Sequence, residues 1–207
     1  MYFKYPRTPH LPWSDSVTDD DRTLDSIEHF IGKEIVVTIK KDGENSNLYN
    51  DYFHARSIDG NHHPSRDWLK NFWSTIKHEI PNGWRICGEN LFAKHSIYYE
   101  NLESYFLMFS IWNEQNFCLS WKDTEEWAEL LNIKTVPVIY KGVFDEKQIR
   151  SIWQELIDEE GYVLRLAEGF RFNDFDKSIA KFVRKNHVQT SEHWSTEKII
   201  QNKLKNS

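Results

Sequence analysis

Lys40 closes the β-branched run Glu34-Ile35-Val36-Val37-Thr38-Ile39-Lys40 and precedes Lys41-Asp42-Gly43. This pattern predicts an amine leaving a strand just ahead of a tight turn. Such an amine, held by a rigid strand and projected into the cleft that the turn borders, is a candidate nucleophile once it is neutral. Partial burial or a neighbouring cation, Lys41 or a bound metal, would lower its pKa and favour that state. Alone the motif is weak. Average residue usage gives Lys-x-Asp-Gly by chance in about one chain of this size in twenty, and a plain hairpin with two solvated lysines accounts for it equally well.

Five further segments follow in order, each a strand or strand end carrying groups useful to a nucleotide. Phe53–Ser57 offers Arg56 for a phosphate. Trp84–Glu89 ends on Glu89, whose carboxylate could accept a ribose hydroxyl. Tyr105–Ile111 is apolar, and Phe106 or Phe109 could stack on a base. Glu160 opens the strand that begins at Gly161, with a carboxylate suited to a magnesium ion. Lys181-Phe182-Val183-Arg184-Lys185-Asn186 brings cations for phosphates. Each segment has an ordinary alternative as core or solvated surface, and it is their order that shifts the balance.

The elements that must position these groups are legible from periodicity. Strands fit 34–40, 84–89, 105–112, 161–167 and 179–185, with one or two shorter strands in 46–57. A helix fits 23–31, stopped by Gly32. A second fits 66–79, capped by Ser65, with Trp68, Phe72 and Ile76 on one stripe. A third opens on a capping box of Asp123 and Glu126 and runs to about Leu131; a fourth fits 145–157. Strand groups interrupted by helices, without regular βαβ alternation, indicate an α+β fold. Residues 1–22 read as an irregular arm, and 187–207 as a short, basic, helical tail.

At 207 residues the chain suits one substantial core, so residues 1–207 are expected to form one domain with no separate C-terminal domain. The formal net charge of −6 excludes a general basic coat for nucleic acid, yet seven lysines and arginines fall between Lys177 and Lys205, enough for a local groove. Cys87 and Cys118 each lie in apolar runs, and no Cys/His spacing provides a zinc site. No apolar stretch has the length of a signal peptide core or a membrane span, so a cytoplasmic protein without membrane contact is expected.

With these segments in order, the sequence resembles the covalent nucleotidyltransferase superfamily of ligases and capping enzymes. It looks most like the ATP-dependent RNA ligases of the bacteriophage and bacterial nick-sealing branch. The start Pro9-His10-Leu11-Pro12-Trp13-Ser14 is similar to that of small RNA ligases. The resemblance implies a nucleotidyltransferase domain of mainly antiparallel sheets with flanking helices, an ATP-grasp-like ligase core. It also implies ATP and Mg²⁺ or Mn²⁺ as cofactors, and RNA with 5′-phosphate and 3′-hydroxyl ends as substrate.

By the same resemblance Lys40 would become lysyl-AMP, Asn45 would serve later steps, and Arg56 would bind phosphate. Glu89 would read the ribose, Phe106 would stack on adenine with Phe109 second, Glu160 would bind metal, and Lys185 would contact phosphate. Two departures stand out. Ile39 replaces the usual glutamate before the nucleophile, and the first basic residue of the last motif falls to either Lys181 or Arg184. A DNA ligase, a capping-type enzyme and a non-catalytic RNA-binding relative remain the alternatives. So short a chain implies a minimal catalytic domain that could depend on a partner protein to hold RNA.

Overall fold

Strand β1 (Glu34–Lys40) is buried through its middle, as a β-branched run with neighbours on both edges should be. Those neighbours are β8 (Val138–Val143) and β9 (Gly161–Leu166), and β11 (Ile179–Val183) adds to β9. They form an antiparallel sheet of order β11-β9-β1-β8. The second sheet contains β2 (Glu44–Leu48), β3 (Phe53–Ala55), β4 (Arg85–Asn90), β5 (Phe106–Trp112), β6 (Phe117–Cys118) and β10 (Phe170–Arg171). Its order is β10-β6-β5-β4-β2-β3, and among the described strands only the short β7 (Lys134–Thr135) pairs in parallel, against β5. The architecture is α+β with antiparallel sheets, as expected. This computed structural model describes residues 1–18, 21–58, 63–155, 158–185 and 199–205.

The sheets meet over a shared core in which Val36 of β1 packs with Leu107 of β5, Trp121 and Val136. Helix α1 (Asp67–Ile76) lays Trp68, Phe72 and Ile76 on the second sheet, where Leu48, Phe106 and Met108 are buried. Helices α2 (Trp121–Leu130) and α3 (Glu146–Ile152) complete the flanks.

Several local expectations are corrected. Asp42-Gly43 makes no hairpin turn, because β1 and β2 belong to different sheets and these residues carry the chain between them. A side chain at Gly43 would stand 2.5 Å from the Asn90 carbonyl, so the crossover needs glycine for close approach. Of the helix expected over 23–31 only a single 3-10 turn, Glu28–Phe30, forms. The backbone upstream is already used: Leu24 N–H donates to His10 O at 2.8 Å, and His10 N–H to Arg22 O at 2.6 Å.

Ser65 does not cap α1 but lies inside the preceding 3-10 turn, where its N–H donates to the His63 ring. The capping box of α2 is Ser120 with Asp123, not Asp123 with Glu126. The Ser120 hydroxyl accepts from Asp123 N–H at 3.1 Å and donates to its carboxylate at 2.6 Å. The tail is not helical where it is described: 199–205 runs extended along the loop 91–105, which takes its backbone hydrogen bonds. Most of the expected basic helix, 186–198, lies outside the described residues.

Candidate active site

The register of the first sheet sets Lys40 opposite Gly161, which puts Glu160 at the strand mouth beside the lysine. The Lys40 ammonium donates to the carboxylate of Glu160, a residue only 8% exposed. Gly161 is required by packing, since a Cβ there would meet the Phe182 carbonyl at 2.0 Å and push β11 away. From the second sheet, Asn45 of β2 pairs with Glu89 of β4, and the Gly43 N–H donates to the Glu89 carboxylate at 3.1 Å. The crossover thus brings Lys40 and Glu89 to one place.

That place is a cavity of about 260 Å³ between the sheets. Lys40, Lys181 and Arg165 line it from one sheet; Asn45, Glu89 and Phe109 line it from the other, with Arg56 just beyond β3. The N-terminal arm closes one side with Arg7 and Asp21. The arm is held there as an added edge to β11: Leu11 N–H donates to Lys181 O at 2.8 Å and Lys181 N–H to Pro9 O at 2.9 Å. The Trp13 indole N–H, donating to the Tyr162 hydroxyl at 2.9 Å, ties it further.

Electrostatics within the cavity are strongly perturbed. Burial alone would lower the Lys40 pKa, but Glu160, then Glu89 and Asp42, outweigh it and hold the amine above its ordinary value. The expected lowering by burial or by Lys41 is therefore overridden, because the carboxylates outweigh burial. Lys41 is bound by Glu159 and lies 4.6 Å from the Tyr99 ring, so its charge is spent on that carboxylate. Burial pushes Glu89 up to about 8 despite Lys40, with Glu160 and Asp42 adding repulsion. Lys181 is lowered by burial even though Asp21 lies at 3.1 Å. Arg56 is lowered by burial and by the neighbouring Arg7. The site holds both signs of charge in a largely buried setting, which strengthens each pairing.

Among the sequence candidates, Lys40, Asn45, Arg56, Glu89 and Lys181 line the cavity, and Glu160 holds Lys40. Phe106 does not line it: the ring is fully buried against Phe72 in the core under α1. Phe109, on the other side of β5, takes the cavity position. β11 ends at Val183, so Lys185 shares no strand face with Lys181 and stands exposed on the following turn. Arg184 gives its backbone N–H to Glu160 O at 3.1 Å and is not a cavity residue, so Lys181 supplies the cation at that end.

Sequence reasoning missed Arg7 and Asp21, which come from an arm without periodicity, and Arg165. The Arg165 guanidinium is buried and donates to the Phe109 and Leu119 carbonyls, a role that its place in an apolar strand conceals.

Among the described residues no three His, Cys, Asp or Glu side chains are arranged to hold a metal by themselves. A magnesium-type ion does not require them, because it keeps several waters and binds through one or two carboxylates plus substrate phosphates. Glu160, with Glu89 nearby, fits that donor chemistry. No helix among the described residues is long and apolar enough to cross a membrane.

A family model for RNA ligase matches residues 33–183. Among solved structures, a variant of Naegleria gruberi RNA ligase with ATP and manganese superposes with a TM-score of 0.57 and 17% identity, covering 86% of this chain and 59% of that one. A second variant with ATP and manganese gives 0.55 and 19%, covering 76% and 51%. A third, with AMP and manganese, gives 0.52 and 19% over the same shares. The chain therefore spans about half the length of the solved ligases it matches, and at these identities the likeness establishes the fold. No match is found among curated proteins.

Proposed function

The chain belongs to the RNA ligase family, and from that premise we propose that it is an ATP-dependent RNA ligase with Lys40 as its nucleophile. The observation that carries this reading is the Lys40 amine at the wall of a cavity that also presents Glu89, Arg56, Lys181 and Phe109, with Glu160 on the amine itself. That set matches ATP part by part. Phe109 offers a face for adenine, Glu89 an acceptor for the ribose, and Arg56 and Lys181 charge for the phosphates.

Lys40 Nζ attacks the α-phosphorus; the bond to the bridging oxygen breaks and pyrophosphate leaves, giving a lysyl-AMP phosphoramidate. The amine must first lose a proton that Glu160 holds on it, and a cation engaging the Glu160 carboxylate would release that hold so the proton can pass to solvent. Arg56 and Lys181 neutralise the charge that develops on the departing phosphates, so most of the catalysis is position and charge compensation. Mg²⁺ or Mn²⁺, bound at Glu160 with ATP, would supply Lewis-acid stabilisation of the phosphate oxygens.

AMP then passes to an RNA 5′-phosphate, and an RNA 3′-hydroxyl displaces AMP to seal the strand. Splitting the condensation into covalent steps lowers each barrier. Asn45, on the cavity wall, serves the later steps. Lys185, exposed just beyond β11, meets phosphate at the surface. A partner protein could hold the RNA, and RNA repair is the setting that this chemistry fits.

The test is labelling with α-phosphate-labelled ATP. Wild type and Lys41→Ala should carry label on the protein and Lys40→Ala none. Equal labelling of wild type and Lys40→Ala would overturn the reading.

A further inference from the structure

The extended segment 199–205 is tied to the site through the loop 91–105. Its backbone interleaves with the loop 91–105. Lys94 N–H donates to Ile200 O at 2.7 Å, Lys203 N–H to Tyr99 O at 2.9 Å, and Lys205 N–H to Leu102 O at 2.7 Å. At the centre Asn202, 1% exposed, satisfies both ends of its amide. Its Nδ2 donates to Leu91 O at 2.8 Å, and its Oδ1 accepts from Tyr99 N–H at 2.9 Å. A buried amide bonded at both its nitrogen and its oxygen fixes the geometry of its partners, because any shift leaves buried polar groups unpaired.

One of those partners, Tyr99, and its loop neighbours Ser96 and Ile97 hold the crossover that follows Lys40. The Asp42 carboxylate accepts from Ser96 N–H at 2.7 Å and Ile97 N–H at 2.8 Å. The Asp42 N–H donates to the Tyr99 hydroxyl at 3.0 Å. Asp42 stands two residues after Lys40. An unbroken set of buried and half-buried contacts therefore runs from Asn202 through Tyr99 to Asp42.

We propose that Asn202 is a positioning residue for nucleotidyl transfer: the C-terminal segment clamps the loop 91–105, and the loop, through Tyr99 and Asp42, fixes where the Lys40 amine stands. This rests on Lys40 being the nucleophile. ATP is gripped mainly elsewhere, by Phe109, Arg56 and Lys181, so the clamp acts on the rate of attack more than on nucleotide affinity. Position is worth this much because reaction rates fall steeply with small misplacements of the attacking atom.

The experiment compares wild type with Asn202→Ala, Tyr99→Phe and the double variant. It reads the single-turnover rate of protein adenylation at saturating ATP, the ATP Kd, and amide hydrogen exchange. Asn202→Ala should adenylate at least tenfold slower with a Kd within about threefold of wild type, and Tyr99→Phe should slow it in the same sense. The double variant should be little worse than the slower single one. Ser96 and Ile97 amides should exchange at least tenfold faster in Asn202→Ala, while β4 and β5 amides stay slow.

Wild-type adenylation rates in Asn202→Ala, or a Kd that rises as much as the rate falls, would overturn the proposal. So would exchange accelerated across β4 and β5 alike. If Asn202→Ala does not fold, Tyr99→Phe, which removes a single oxygen, decides by the same readings. Absence of label on wild type condemns the ligase reading instead; unchanged exchange at Ser96 and Ile97 then still overturns the clamp.

Discussion

The Lys40 ammonium is bound by the carboxylate of Glu160, 120 residues further along the chain, because β1 and β9 pair with Lys40 opposite Gly161. The pair sets the resting state of the site. Burial pulls the Lys40 pKa down, but Glu160 and Glu89 pull it up further. The amine is thus stored protonated without nucleotide. In the proposed reaction it would become nucleophilic when the balance of charge around Glu160 changes, as arrival of a cation with ATP would change it.

Replacing Glu160 by Gln should therefore separate acidity from catalysis. Loss of the carboxylate lowers the Lys40 pKa, so the neutral fraction at pH 8–9 rises. Reaction of Lys40 with a small amine reagent, followed by peptide mass mapping, should be several-fold faster in Glu160→Gln than in wild type. Adenylation by ATP should fall at least a hundredfold. Slower reagent labelling in the variant would refute the electrostatic account.

Glu89 gives the opposite kind of signature. Its folded pKa, about 8, lies above the ordinary carboxylate value because of burial. The folded protein therefore holds a proton that the unfolded chain releases, and stability from this group falls as pH rises from about 4.5 through 8. Glu89→Gln removes that loss. Urea melts should show the variant gaining on wild type as pH goes from 5 to 8; a folded pKa even one unit above the unfolded one is worth about 1.4 kcal/mol. A stability difference that does not change with pH would rule this out.

Much of this was legible in the sequence, and the failures have physical causes. β1, β5 and β9 are largely apolar runs, with Lys40 closing β1 and Glu160 just ahead of β9, and the order of the segments, with the resemblance it carries, singled out Lys40, Glu89, Glu160 and Lys181. Alternation puts Phe106 and Phe109 on opposite sides of β5, but only packing of α1 decides which side is core. A bulge between Cys87 and Gly88, where β4 meets β5, shifts the register just there. Asp42-Gly43 reads as a hairpin because local sequence cannot tell a turn from a change of sheet. Arg7, Asp21 and Asn202 reach the site through contacts across most of the chain, and polar residues in aperiodic segments read as solvated.

The two phenylalanines are therefore predicted to differ in kind. Phe109→Ala should weaken ATP binding by tenfold or more and cost little stability, since the ring is only partly buried at the cavity wall. Phe106→Ala should cost about 3–5 kcal/mol in chemical denaturation, as for large-to-small changes in a packed core. In a stabilised background its ATP affinity should stay close to wild type. Isothermal calorimetry beside urea melts checks both; the reverse assignment of effects would return adenine to Phe106.

Asp21 pairs with Lys181, the cation that the proposed reading assigns to the phosphates. Its carboxylate lies 3.1 Å from Lys181 Nζ and 3.3 Å from His10 Nε2, and its other contacts are the Thr18 N–H and hydroxyl. Burial would raise its pKa, but Lys181 and Thr18 hold it at about 2, while burial and Lys181 keep His10 neutral at about 4. Because the folded pKa is depressed, the stability Asp21 contributes is present above about pH 4 and is lost as pH falls towards 2. Asp21→Asn should accordingly be less stable than wild type at pH 6, with the gap closing below pH 3. The same variant removes a negative charge from a cavity that must accept a polyanion, and should bind ATP about three- to tenfold more tightly, the equivalent of about 1 kcal/mol of screened repulsion. Weaker ATP binding in Asp21→Asn would mean that the aspartate orients Lys181 towards the nucleotide rather than competing with it.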